Sequence, residues 1–240
     1  MRDGDLRLLV FDWDGTLMDS VGAIVACTQA VITELALGEH DPATIRGTVG
    51  LGLRETADLL VPGRDGRFFE QVLDCYRRHW VSTYRDQPIL FPGVPAMLAE
   101  LARRGYLLAV ATGKSRRGLE YGLTQSGLRA HFHSTRTVDE AAGKPHPQML
   151  LDILDELGVR PAAAAMVGDS IYDLQMAANA GTHAVGVASG AHRREELAAL
   201  APHALLERIT DLPGWLEAAA GAAAGTSPAV SAARASPVSR

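Results

Sequence analysis

The sequence predicts an α/β fold, a doubly wound parallel sheet with a helical segment inserted into it. Three observations carry that prediction. Short apolar runs such as Leu6 to Phe11 have the near-continuous hydrophobicity of strands buried on both faces. Stretches with apolar residues at helical spacing alternate with these runs over much of the chain. Several runs end in polar turns: Asp12-Trp13-Asp14-Gly15-Thr16, Thr112-Gly113-Lys114 and Gly168-Asp169-Ser170. In open parallel sheets, ligands bind at the carboxyl ends of the strands, where these turns would lie.

Leu6 to Phe11 reads as the first strand. Val21 to Leu37 is helical, with Val21, Ile24, Val25, Val31, Ile32 and Leu35 in phase. Pro42 to Leu60 reads as two short helices broken at Gly47, Gly50 and Gly52. Arg64 to Tyr84 is a long helix with Phe68, Val72, Cys75, Trp80 and Val81 as its expected inner face. Between Ser20 and Arg85 there is no strand signal. After Phe91-Pro92-Gly93 the alternation begins: a helix at Val94 to Arg103, then a strand at Leu107 to Ala111. A helix at Ser115 to Ser126 and a weaker strand at Phe132 to Thr135 follow. Gln148 to Leu157 is a helix closed by Gly158, a C-terminal cap. The strand at Ala163 to Val167 leads to a helix at Ile171 to Asn179 that stops at Gly181. His183 to Val187 is a further strand, and Arg193 to Leu200 and Ile209 to Ala220 are helices.

This order divides the chain into a core, 1–19 with 86–220, and an all-helical insertion, 20–85. The insertion interrupts the first strand–helix connection, so it should cover the carboxyl ends of the strands as a lid. Residues 221–240 are mostly Ala, Gly, Ser and Pro and are expected to be a disordered tail.

The net charge of −5 gives no basic field for nucleic acid or an anionic membrane. No apolar run approaches the roughly 20 residues that span a bilayer, and Met1 to Arg7 lacks the apolar stretch of a signal peptide. Cys27 and Cys75 are too few for a disulfide framework and read as reduced packing residues of a cytoplasmic protein. Among the 23 cationic residues, only Lys114 and Lys144 are lysine. A codon bias toward arginine explains the scarcity of lysine but not its positions.

Two carboxylates two residues apart after a buried strand suit a division of labour. Asp12 can attack phosphorus as the nucleophile. Asp14 can protonate the leaving oxygen and later deprotonate water. Asp169 and Asp173 add acidic groups from another strand end and the helix after it. Gathered carboxylates repel one another unless a hard cation binds, and Mg2+ suits such oxygen ligands. Thr112 and the Gly113 amide can donate to phosphate oxygens, and Lys144 can place a point charge beside Asp12. Lys114 has two readings, a cation at the rim of the site or a solvated residue at a helix start. Gly47-x-x-Gly50-x-Gly52 has no strand before it, so it is a turn of the insertion and not a dinucleotide fingerprint. Arg54, beside that turn, is a candidate contact for an anionic substrate. The paired arginines 77–78, 103–104, 116–117 and 193–194 read as solvated faces, and His131, His133 and His146 as surface residues.

Asp12-Trp13-Asp14-Gly15-Thr16-Leu17, the strand end at Thr112, Lys144, and Gly168-Asp169-Ser170-Ile171-Tyr172-Asp173 resemble, in order and spacing, the four motifs of the haloacid dehalogenase superfamily. The helical insertion resembles the cap of its phosphoglycolate phosphatase-like branch. The resemblance spans about Leu6 to Leu216. It implies a Rossmann-like core and a magnesium-dependent phosphatase acting on a small phosphorylated metabolite, as a monomer or homodimer. It also implies that Asp12 and Asp169 bind the metal by side chain and Asp14 by its backbone carbonyl, with Asp173 acting from behind them. Trp13 fills a variable position of the motif and is expected to affect packing rather than chemistry. Within the superfamily, Asp14 argues against a dehalogenase, which does not need that acid. The absence of lysine from Ser20 to Asp86 argues against a Schiff-base phosphonate hydrolase and weakens a β-phosphoglucomutase reading. A pyrophosphatase, a sugar or nucleotide phosphatase, a β-phosphoglucomutase-like mutase and a non-catalytic regulatory member remain as alternatives.

Overall fold

The computed structural model describes residues 6–84 and 90–224. The first apolar run forms the central strand, β1 (Leu8–Phe11), buried along its whole length. β1 pairs in parallel with β2 (Leu107–Thr112) on one side and β4 (Ala164–Gly168) on the other. β3 (Ser134–Thr137) extends the sheet beyond β2, and β5 (His183–Val187) and β6 (Ala204–Leu206) extend it beyond β4. The order is β3-β2-β1-β4-β5-β6. The chain therefore winds outward first to one side of β1 and then to the other, which opens a crevice at the carboxyl ends of β1, β2 and β4.

Both sheet faces are apolar because alternate side chains of each strand point opposite ways. Leu9, Phe11, Leu108, Val110, Ala165 and Val167 face α5 (Val94–Arg103), α6 (Arg116–Ser126) and α10 (Leu212–Ala224). Leu8, Val10, Ala109, Ala111, Ala164 and Met166 face α7 (Gln148–Leu157), α8 (Ile171–Ala180) and α9 (Arg194–Ala198).

Between β1 and α5, the described residues form four helices and no strand: α1 (Val21–Glu34), α2 (Pro42–Arg46), α3 (Leu53–Leu60) and α4 (Gly66–Tyr84). They pack on their own small core of Val31, Ala57, Val72 and Cys75. Glu34 clasps α1 to α4 by accepting from Arg78 at 2.7 Å and bonding His79 at 2.8 Å. Val21 and Val49 pack on Ala191 of the main body, which ties the insertion to the sheet.

Several sequence expectations need correction. β6 carried no recognised signal, because it is three residues long and only its last residue is buried. β3 begins two residues later than expected, after a short 3-10 turn at Arg129–His131. Val81 is 52% exposed, so the inner face of α4 ends before it. Arg104 and Arg116 are not merely solvated: Arg104 bridges Glu100 to Glu217, and Arg116 joins Glu120, Glu140 and Thr135 across the α6–β3 edge. α10 continues to Ala224, four residues into the expected tail, because Ala is the strongest helix former. The rest of that tail, and the expected boundary at 85/86, lie outside the described residues.

Candidate active site

β1 delivers Asp12 to the crevice, where only 1% of the residue is exposed. The backbone then turns tightly. Gly15 adopts φ +82°, and the Gly15 amide donates to Met18 at 2.7 Å. A side chain on Gly15 would strike the Asp169 carboxylate, so this glycine answers both a backbone and a packing need. β4 delivers Asp169, and α8 carries Asp173 in its first turn. The three carboxylates each offer an oxygen within 4.8 Å of the others.

One buried cation serves this cluster. The Lys144 ammonium lies 2.6 Å from Asp12 Oδ1 and 2.6 Å from Asp173 Oδ1. Burial opposes its charge, but Asp12 and Asp173 outweigh that cost and hold its pKa above the ordinary lysine value. Asp173 Oδ2 accepts from the Ser170 amide at 3.1 Å and hydroxyl at 2.6 Å, forming a capping box at the start of α8. Asp173 thus positions Lys144 and caps a helix with one carboxylate.

Three carboxylates against one ammonium leave a negative excess in a nearly dry site. Burial, and then repulsion from Asp173, push Asp169 up to about 7. Burial also raises Asp12 well above the carboxylate range, helped by Asp173 and Asp169 and opposed by Lys144. Asp169 is fixed by Thr16, whose hydroxyl donates to Oδ1 at 2.7 Å, and by the Ala191 amide, which donates to Oδ2 at 2.7 Å. All the donors are oxygens and the charge deficit is positive, so the residues fit a hard divalent cation such as Mg2+.

Asp14 faces the insertion. Ser20 donates to its Oδ1 at 2.6 Å, and the Lys114 ammonium lies 2.8 Å from both of its oxygens. Of the two readings of Lys114, the structure supports the rim cation. Thr112 is buried at the end of β2, and its hydroxyl accepts from the Lys114 amide at 3.2 Å. Gly113 lies against the Gly-rich turn of the insertion, where a Cβ would come within 2.5 Å of the Leu51 carbonyl oxygen. Gly50 of the same turn abuts Ser170, and Tyr172 donates to the Gly47 carbonyl at 2.9 Å.

Arg54 is exposed and stacks over Phe69 at 3.9 Å, so its contacts are with the insertion and not with the carboxylates. Trp13 is fully buried against Phe132 and Gly122, a packing role as expected. The sequence assigned no role to Ser20, Thr16, Gly190, Ala191 or Arg46. Arg46 donates to the Gly190 and Ala191 carbonyls at 2.5 and 2.9 Å, beside the amide that holds Asp169. No spacing rule points to this loop. The two lysines did carry a signal: in a chain that otherwise uses arginine, both face carboxylates of this site.

The family model of haloacid dehalogenase-like hydrolases matches residues 9–187, which hold Asp12, Asp14, Thr112, Lys114, Lys144, Asp169 and Asp173. The chain belongs to the haloacid dehalogenase-like hydrolase family. It is 35% identical over 216 residues to "probable phosphatase IndB" of Dickeya dadantii, covering 86% of this chain and 92% of that protein. It is 30% identical over 213 residues to pyrophosphatase PpaX of Bacillus velezensis, covering 88% of this chain and 97% of that one. A hydrolase from Pseudomonas syringae superposes with a TM-score of 0.81 at 22% identity, over 88% of this chain and 98% of the other, and shares the fold.

Proposed function

We propose that this chain is a magnesium-dependent phosphatase that hydrolyses a small, phosphoglycolate-like phosphomonoester through an aspartyl-phosphate on Asp12. The observation that carries this reading is the pairing of two aspartates in unlike settings. Asp12 is buried against Lys144 among other carboxylates, and Asp14 is held two residues on by Ser20 and Lys114. Asp12 attacks phosphorus with one carboxylate oxygen while Lys144 holds Oδ1. The P–O bond to the leaving group breaks, and Asp14 gives that oxygen its proton. Asp14 then takes a proton from the water that attacks the aspartyl-phosphate, which frees phosphate and restores Asp12. Thr112 and the Gly113 amide lie at the end of β2 as donors for the phosphoryl oxygens. Asp12, Asp169 and the Asp14 backbone would hold magnesium, with Asp173 behind them. That ion supplies charge neutralisation to the attacking carboxylate and the phosphoryl group.

A cytoplasmic setting belongs to the same reading, since both cysteines are buried and unpaired. No helix among the described residues is long and apolar enough to cross a membrane. Pyrophosphate is the second candidate substrate, favoured by the 30% identity to a pyrophosphatase.

Asp12→Asn should reduce hydrolysis of para-nitrophenyl phosphate with magnesium by at least about 1,000-fold, as expected for loss of a nucleophile. Comparable turnover in the variant would refute the covalent mechanism. A panel of phosphomonoesters with pyrophosphate, ranked by kcat/KM, decides the substrate.

A further inference from the structure

Asp14 must be aimed at the leaving oxygen, and every side chain found holding it is linked to the insertion. Ser20 immediately precedes α1 and donates to Asp14 Oδ1 at 2.6 Å. Lys114 belongs to the β2 loop, yet its ammonium also lies over the Trp80 ring of α4, 5.0 Å from the centroid. Tyr76, one helical turn earlier, stacks on Trp80 with centroids 6.1 Å apart and planes 13° from parallel. The order in space is therefore Tyr76, Trp80, Lys114, Asp14.

A lysine has a long flexible stem, and its ammonium swings freely unless something holds it. The Lys114 side chain is 19% exposed, so solvent competes for it. An aromatic face attracts a cation through its electron-rich surface and fixes one direction of approach. We infer that Trp80, backed by Tyr76, is a positioning residue: it holds Lys114 on Asp14 and so orients the acid–base carboxylate only while the insertion lies over the site. This rests on the reading of Asp14 as the acid–base group. It adds that a helix of the insertion contributes to proton transfer without touching the reacting atoms.

Leaving-group dependence tests this. During transfer to Asp12, a poorly oriented acid slows esters whose leaving oxygen needs a proton and spares those whose leaving group departs as an anion. Wild type, Trp80→Ala and Trp80→Phe are compared on para-nitrophenyl phosphate and on glycerol phosphate, with magnesium. Trp80→Ala should lower kcat/KM on glycerol phosphate about tenfold more than on para-nitrophenyl phosphate, because kcat/KM reports transfer to Asp12 and not the later water step that both esters share. Trp80→Phe, which keeps an aromatic face, should recover most of that loss. Adding Lys114→Met to Trp80→Ala should cost nothing further on glycerol phosphate, because the two act as one unit. Equal loss of kcat/KM on both esters, or a phenylalanine variant as poor as the alanine variant, overturns this inference alone. Wild type that hydrolyses neither ester overturns the phosphatase reading and the inference with it.

Discussion

Asp169 is shaped at the residue scale by two glycines as well as by hydrogen bonds. A Cβ on Gly190 would overlap the Asp169 carboxylate, as one on Gly15 would. Gly190→Ala should therefore displace this side chain and weaken metal binding by about 10–100-fold, the cost of disturbing the support of a ligand. Calorimetric titration with Mg2+ against wild type checks this, and unchanged affinity would refute the cradle. The charge of the cluster has its own signature. Asp169 titrates at about 7 in the folded chain. In the unfolded chain a carboxylate titrates near 3.9. The folded state thus binds the proton more tightly. Its contribution to stability is full below the unfolded pKa and is lost as pH rises through the folded one. In EDTA the protein should lose stability on the order of a few kcal/mol between about pH 4 and pH 7.5. Magnesium should restore it at the upper end. Melting curves across that range check this, and an EDTA-treated protein whose Tm holds steady or climbs with pH would contradict it.

At the scale of elements, α6 packs directly on the indole of Trp13, just after β1. Gly122 of α6 faces that indole, and a Cβ there would stand 3.0 Å from Trp13 Cζ2. In an open helix, Gly→Ala gains up to about 1 kcal/mol from propensity. Overpacking a rigid aromatic ring costs roughly 1–3 kcal/mol, which is larger. Gly122→Ala should therefore destabilise the protein by about 1–2 kcal/mol in urea denaturation. A stabilised variant would mean that α6 can move away at no cost. α8 illustrates the opposite economy, since Ser170 and Asp173 close its first turn while Asp173 also restrains Lys144.

For the whole molecule, the question is how the insertion is tied to the carboxylate cluster of the crevice. Arg46 of α2 binds the two carbonyls of Gly190-Ala191, and the Ala191 amide holds Asp169. Tyr172 reaches the Gly47 carbonyl from the main body. Arg46→Ala should loosen this tie and weaken apparent Mg2+ affinity about 3–10-fold with little change in Tm. The magnesium dependence of kcat/KM measures the first effect and a thermal melt the second. Unchanged magnesium dependence would mean that the insertion does not act through this loop.

The strand ends were legible in the sequence because chemistry and hydrophobic pattern coincide there. Asp12, Thr112 and Asp169 each stand where a short apolar run meets a polar turn, the pattern of an inner strand. Helix boundaries such as Val94–Arg103 and Gln148–Leu157 were legible for a similar local reason, the apolar period together with proline and glycine at the ends. β6 was not, because a three-residue edge strand exists only by pairing with β5. Nor did the sequence show where Arg54 would point, since an exposed residue next to a turn can face either way. The sequence by itself determined the parallel core and the acidic residues gathered at its strand ends. Those depend on short-range pattern and on residue type. Only the tertiary structure decided that Lys114 meets Asp14, that Gly190 makes room for Asp169, and that Trp80 stands behind Lys114. Each of these joins residues far apart in the chain, through directions that no local pattern encodes.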